Sequence, residues 1–417
     1  MHVTGFGGLV VPSENGDGIL PPKGFRSEKL EPDPTARHLY YTLISVDDHL
    51  VEPPNMFEGR LPRALADRAP KVIENSRGYQ MWEFEGERYS QVGMNAVAGR
   101  KPQYASIEPT RFEDMRPGCY DIDERIKDMD IAGIWASMSF PSQISGFCGR
   151  VFSSVKDTDL GIATTRAWND WMVEEWWSPY PDRIIPLAIT YLSDPEIGAA
   201  EVRRNAARGV RSLTLPERPH RIGLPSLFSG YWDPIIQACV ETGTVISLHV
   251  GSSGMADMPE GSPMIQIGAT LFGQLSLNAC VEWLWSGYPV CYPEIRLAMS
   301  EGGIGWVAML LDRLDNIVDR SGYGAGIFDD IRPADVVRRN FWFCTLDDPS
   351  TIDTRHHIGV DHIMAEVDYP HGDSTWPNTQ EILRSCWGHL PDSELRKITH
   401  ENAAKLYGVA LPEVTLP

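Results

Sequence analysis

The sequence lacks the marks of several protein classes. None of its seven cysteines (Cys119, Cys148, Cys239, Cys280, Cys291, Cys344 and Cys386) belongs to a CxxC pair. That excludes a cysteine zinc knuckle and suits free buried thiols in a reducing cytoplasm. No apolar run reaches bilayer length; Ile184–Leu192 is among the longest. Basic residues are scarce, with 37 Lys and Arg against 57 Asp and Glu, a formal net charge of −20. So acidic a surface repels phosphate backbones and anionic lipid, so neither nucleic acid nor a membrane is expected as a partner. The opening MHVTGFGGLVVPSENGDGILPPKG has no cationic start followed by an apolar stretch, so no secretory leader is read there. There is no internal repeat and no low-complexity tract.

What remains is a globular composition: 417 residues, 42% hydrophobic and 23% charged. Residues 1–40, rich in Gly, Pro and charge, read as an extended arm. Beyond them, β-branched runs alternate with helical patterns. The predicted strands are Leu43–His49, Ile134–Phe140, Ile184–Thr190, Val210–Leu215, Val245–Val250, Ile295–Glu301, Phe341–Leu346 and Ile363–Asp368. Between them lie predicted helices, including Thr158–Trp177, Pro195–Arg208, Ile265–Trp285 and Ile304–Ile317, and a last one runs from Asp392 to about Tyr407. Eight such units imply a (β/α)8 TIM barrel. An open doubly wound sheet is the rival, but no GxGxxG follows the first strand. Residues 53–120 form an insertion after the first strand, with a predicted hairpin at Tyr79–Tyr89 turning at Glu85-Gly86. The barrel body is expected to span 41–409, with 410–417 as a tail.

Active sites of such barrels sit at the strand C-termini. The first strand ends SVDDH, and period-2 geometry puts Asp47 and His49 on one side and Asp48 on the other. The fifth ends in His249, the sixth in Glu301, the eighth in Glu366-Val367-Asp368 before Tyr369-Pro370-His371. A lone strand-end histidine is usually structural, and strand-end acids often cap helices. Four ligand-bearing ends in one ring, with a DxH pair, point instead to a Zn²⁺, Mn²⁺ or Fe²⁺ site. His371 is read as bonding substrate or a metal ligand, against the alternative of a turn residue packed on Trp376. His356, His357 and His362 are read as structural, and Trp168, Trp171, Trp176 and Trp177 as core or interface. The amides of EGGIGW (Glu301–Trp306) precede a helix and could hold a carboxylate.

The stretch SVDDHLVEPPNMF (Ser45–Phe57) resembles the opening motif of the amidohydrolase superfamily, in the branch typified by aminocarboxymuconate-semialdehyde decarboxylase. ISLHVGSSG (Ile246–Gly254), IRLAMSEGGIGWVAMLLDRLD (Ile295–Asp315), HIMAEVDYPHGDSTWPNT (His362–Thr379) and HENAAKLYG (His400–Gly408) resemble its later motifs in order. The resemblance implies Asp47, His49 and His249 as metal ligands, Asp368 as a ligand that also handles a proton, and Glu52 as a residue beside the ligands. The chain departs from the branch in having DxH for the usual HxH, Glu301 where decarboxylases carry a histidine, and no lysine at the end of the fourth strand (Ser212–Pro216). One divalent metal is expected, Zn²⁺ by default, with Mn²⁺ or Fe²⁺ favoured by the added carboxylate and a second metal through Glu301 as the alternative. The expected function is hydrolysis or decarboxylation of a small carboxylate- or amide-bearing substrate, with Asp368, Glu301 and His371 as catalytic groups. The alternatives are a subunit of a heteromeric iron or manganese oxygenase on this fold, hydroxylating a small amino acid, and a barrel that only supports a catalytic partner. A homo- or hetero-oligomer with another amidohydrolase-like chain is the expected assembly.

Overall fold

The computed structural model describes residues 30–101, 108–324 and 326–417. Most of the predicted arm, residues 1–29, lies outside them. All eight predicted strands are present: β1 Ile44–His49, β2 Ala136–Phe140, β3 Ile184–Ile185 continued by Leu187–Ala188, β4 Ser212–Thr214, β5 Val245–His249, β6 Leu297–Ser300, β7 Phe341–Thr345 and β8 Ile363–Ala365.

Every neighbouring pair along the ladders is parallel. The ladders fall into two segments, and both gaps have local causes. Pro186 splits β3, because proline has no N–H to give a ladder. Ile184–Ile185 pairs with β2, and Leu187–Ala188 pairs with β4. Between β8 and β1 the bonds come just past β8: Asp368 N–H donates to the Asp47 carbonyl (2.8 Å) and His49 N–H to the Tyr369 carbonyl (2.6 Å). The eight strands thus form the ring of a (β/α)8 barrel.

Strand side chains divide between two apolar clusters. Ile44, Val46, Met138, Leu187, Ala298 and Met364 face inward and are joined by Leu406 and Tyr407 of the closing helix. The alternate residues, such as Leu213, Ile246, Leu248, Leu297 and Phe343, pack outward against the helices. Two long helical predictions are interrupted. The 265–285 segment is Met264–Thr270 and Phe272–Trp285, broken at Leu271, and 304–317 begins only at Val307. Trp168, Trp171 and Trp176 are fully buried in the core.

The segment after β1 carries an antiparallel sheet of Lys71–Glu74, Gln80–Phe84 and Glu87–Tyr89. Its hairpin turns where expected, with Glu85 and Gly86 both at positive φ (51° and 83°), as a two-residue turn requires. The same segment reaches back to the mouth, where the amides of Val97 and Ala98 both donate to the Pro370 carbonyl at 2.9 Å.

Candidate metal centre

A bulge sets the aim of β1. Ile44 and Val46 point into the apolar interior, and strict alternation would send Asp48 the same way. Between Ser45 and Asp48 the strand carries one residue more than β2 opposite it. Such a bulge re-aims the side chains beyond it. Asp47 and His49 are thereby turned towards the mouth. Asp48 faces away and accepts hydrogen bonds from Ser45 Oγ (3.0 Å), Ser137 Oγ and Tyr369 N–H (3.0 Å). The Arg125 guanidinium donates to the His49 carbonyl from behind.

β5 delivers His249 by plain alternation. Its Nδ1 lies 2.7 Å from the Val250 carbonyl, which can only accept, so Nδ1 carries a hydrogen and Nε2 is the nitrogen that a bound cation would take. Nε2 then faces His49 Nε2 at 3.1 Å, Asp47 Oδ1 at 3.3 Å and Glu301 Oε2 at 3.6 Å. β6 and β8 each lead into a left-handed residue, Glu301 (φ 60°) and Asp368 (φ 59°). Such backbone costs about 1–3 kcal/mol away from glycine and persists where its surroundings hold it. The Glu366 carboxylate helps hold Glu301 by accepting its N–H at 3.0 Å. Asp368 Oδ1 lies 3.1 Å from His49 Nε2 and 3.0 Å from His371 Nδ1, and the His371 ring stacks on His49 with centroids 3.7 Å apart.

All the expected ligands are therefore together, in three overlapping sets: Asp47–His49–His249, His49–Asp368–His371, and Glu301–Asp368–Asp373. Asp47, His49, His249 and Asp368 are at most 3% exposed. None of the four carboxylate oxygens of Asp47 and Asp368 makes an aligned hydrogen bond, although imidazole nitrogens lie 3.0–3.7 Å from the Oδ1 of each. A buried carboxylate left so is costly unless a cation meets it. The electrostatics agree. Burial pushes the Asp47 carboxyl up and the Asp368, Glu301 and Glu366 carboxyls well above their ordinary range, and neighbouring carboxylates add to the shift of the last three. Burial holds His49 well below its usual value, with His371 and His249 adding to it, which keeps it neutral. Burial also opposes charge on His249, but Asp47 and Glu301 outweigh it and push that imidazole up to about 10. The cluster draws positive charge to its centre, and the donor set fits a divalent ion.

Other expectations fare differently. Glu52, expected beside the ligands, makes its hydrogen bonds elsewhere. It accepts from Ser142 N–H (3.2 Å), Ser142 Oγ and Trp168 Nε1 (2.9 Å), tying the loop after β1 to that after β2. His371 stacks on His49 rather than on Trp376, which instead packs against Tyr369 and under Arg116. Two EGGIGW amides are taken by the chain's own acids: Glu301 N–H by Glu366 and Ile304 N–H by Asp348. His362 bonds the Phe341 carbonyl and stacks on Trp342, while His356 and His357 pair with Glu394 and Asp312.

Three acids and one ring were missed. Glu366, two residues before Asp368, shares its side of the strand, so the signal was in the period. Glu217 is 1% exposed beyond β4, and burial pushes it up to about 7. Its carboxylate accepts from Gly251 N–H, a long-range partner with no local signature. Asp373 stands exposed at the rim. Phe147, at φ 67°, packs against His49 and His249 with centroids 5.6 and 4.9 Å apart and walls the centre with Phe140.

The family model described as "Amidohydrolase" matches residues 110–409. No curated protein matches the chain in sequence. Among solved structures, the chain resembles an amidohydrolase from Mycobacterium avium subsp. paratuberculosis K-10 (TM-score 0.71, 21% identity, 89% of this chain and 100% of that one). It also resembles 5-carboxyvanillate decarboxylase from Novosphingobium aromaticivorans DSM 12444, solved with bound manganese (0.61, 18%, 90% and 100%). A third likeness is to 2,6-dihydroxybenzoate decarboxylase from Rhizobium (0.59, 16%, 88% and 99%).

Proposed function

The chain belongs to the amidohydrolase family, and from that premise we propose that it is a metal-dependent enzyme that hydrolyses or decarboxylates a small carboxylate- or amide-bearing molecule. One observation carries this reading: the buried carboxylates of Asp47 and Asp368, which make no aligned hydrogen bond, converge with three imidazoles at the barrel mouth. Asp47, His49, His249 and Asp368 would hold the ion, with His371 fixing Asp368. When bound, the ion supplies a polarised oxygen; on zinc a bound water has a pKa of roughly 7. Asp368 holds and returns the proton at its carboxylate. Glu301, in place of the decarboxylase histidine, offers a second proton-carrying carboxyl, 3.6 Å from His249 Nε2 and within 4.8 Å of the Asp368 carboxylate. Phe147 and Phe140 keep water from the far side of the imidazoles. Carboxylate-rich donors favour Mn²⁺ or Fe²⁺ over the Zn²⁺ default, and manganese is present in the Novosphingobium decarboxylase structure.

The number of ligands favours a second reading. Asp47–His49–His249 and Glu301–Asp368–Asp373 share no residue, which leaves room for a second cation through Glu301. That donor set suits an iron or manganese oxygenase subunit, paired with another amidohydrolase-like chain in the cytoplasm. A small molecule is the substrate in either reading, and among the described residues no helix is long and apolar enough to cross a membrane.

The test is elemental analysis of the purified chain, followed by parallel assays of CO₂ release from hydroxybenzoates, amide hydrolysis and O₂ uptake. One bound ion per chain with CO₂ release or hydrolysis is expected. Two redox-active ions with O₂ uptake would replace the first reading by the second. A metal-free, chelator-indifferent protein would end both.

A further inference from the structure

Among its described residues, the insertion after β1 meets the centre at a turn, residues 93–98. Met94 and Asn95 take successive left-handed conformations (φ 38° and 69°) that non-glycine residues seldom adopt. The turn cannot slide, because a Cβ on Gly93 would lie 2.8 Å from both Pro109 and the Met115 sulfur. Its far side is stapled to the centre by the Val97 and Ala98 amides on the Pro370 carbonyl, one residue before His371. On its near side the Met94 carbonyl accepts a hydrogen bond from the His371 ring.

One side chain holds this turn in shape. Glu108 is 2% exposed. Its two oxygens accept the Asn95 N–H at 3.3 and 3.1 Å, and the Met94 amide turns to the same carboxylate. Adjacent amides aimed at one anion form a small nest, which favours left-handed backbone at both positions. Burial pushes the Glu108 carboxyl up to about 7, against the pull of these amides and of the Arg100 charge, so the fold bears a desolvation cost here. Glu108 makes its hydrogen bonds to this turn and not to the candidate ligands, and the chemistry proposed above has no use for it.

We propose that Glu108 is a positioning residue: its carboxylate fixes the Met94–Asn95 turn, the turn orients the His371 ring, and that ring holds Asp368 towards the ion. The last link rests on the reading of Asp368 as a ligand; the first two do not.

The experiment compares Glu108→Ala, Glu108→Gln, His371→Asn and the Glu108→Ala/His371→Asn double variant in the full chain. Amide hydrogen exchange is one readout and Mn²⁺ affinity the other. Glu108→Ala is expected to speed exchange at Val97 and Ala98 at least tenfold while leaving residues 80–89 unchanged. It should also weaken Mn²⁺ by about 10-fold, in the range for loss of a group that orients a ligand. Glu108→Gln keeps a carbonyl acceptor and should restore most of both. Asn95→Gly, which tolerates the left-handed backbone, should partly rescue Glu108→Ala. The double variant should bind Mn²⁺ no more weakly than His371→Asn alone. Unchanged exchange at 97–98, no rescue by either substitution, or additive losses in the double variant would overturn the proposal. If the wild-type chain binds no Mn²⁺, the metal reading falls, and the exchange arm alone decides the role of Glu108.

Discussion

Two layers of the same barrel differ in kind. The lower layer, around Val46, Met138, Leu187, Ala298 and Met364, is apolar and closed by Tyr407, whose hydroxyl lies 3.2 Å from Ser247 Oγ. The upper layer holds Asp47, His49, His249, Glu301, Glu366 and Asp368, with four carboxylate oxygens left without an aligned hydrogen bond and two residues in left-handed backbone. Burial favours folding in the first and opposes it in the second. The lower layer therefore holds the barrel together, and the upper is kept for what it binds.

Substitution can break this division. The largest effect expected is from His249→Ala, which removes the imidazole facing three other ligands. Mn²⁺ affinity should fall by more than the ~100-fold typical of an outer partner, read by calorimetric titration, with a folded protein remaining. Leu187→Ala should do the reverse, costing about 2–5 kcal/mol of stability in denaturant unfolding while leaving Mn²⁺ affinity within twofold. If both variants lose both properties, the layers are not separable. Glu366→Gln sits on the boundary. It keeps an acceptor for Glu301 N–H, and a loss of about 10-fold or less in Mn²⁺ affinity is expected.

The smallest effect is a pH dependence, read in the metal-free protein so that release of the ion does not mask it. Glu108 and Glu217 are both pushed up to about 7 by burial, from an ordinary value near 4.5. The folded state then binds protons that the unfolded chain has released, so their contribution is full below about 4.5 and lost as pH rises through about 7. The melting temperature of chelator-treated protein should rise as pH is lowered from 8 to 5.5, and Glu108→Gln should reduce that slope. A melting temperature that falls over this range would contradict the assignment.

The lower layer and the ring of strands were legible because period-2 alternation and β-branched runs are local signals. His249 was legible for the same reason, since it ends β5 on its inward side, and Asp47 and His49 as a pair two residues apart at the end of β1; Asp368 was legible from its place three residues past β8. The bulge that re-aims Asp47 was not, because an extra residue is visible only against β2. Nor was the strand Lys71–Glu74, which has a partner only once the hairpin forms. Glu217 and Glu108 lie outside regular strands, and their roles come from amides at Gly251 and Asn95 that the fold brings to them. Glu366 could have been read from its place two residues before Asp368. The break at Leu271 lies inside a continuous helical pattern and leaves no mark in it.

The central claim is that these ligands converge on a cation. Electron paramagnetic resonance of chelator-stripped protein titrated with Mn²⁺ tests it most directly. The free-ion signal should be suppressed until at least one equivalent per chain is bound, and this suppression should be absent in His249→Ala. A free-ion signal that grows from the first addition in the wild-type protein would contradict it.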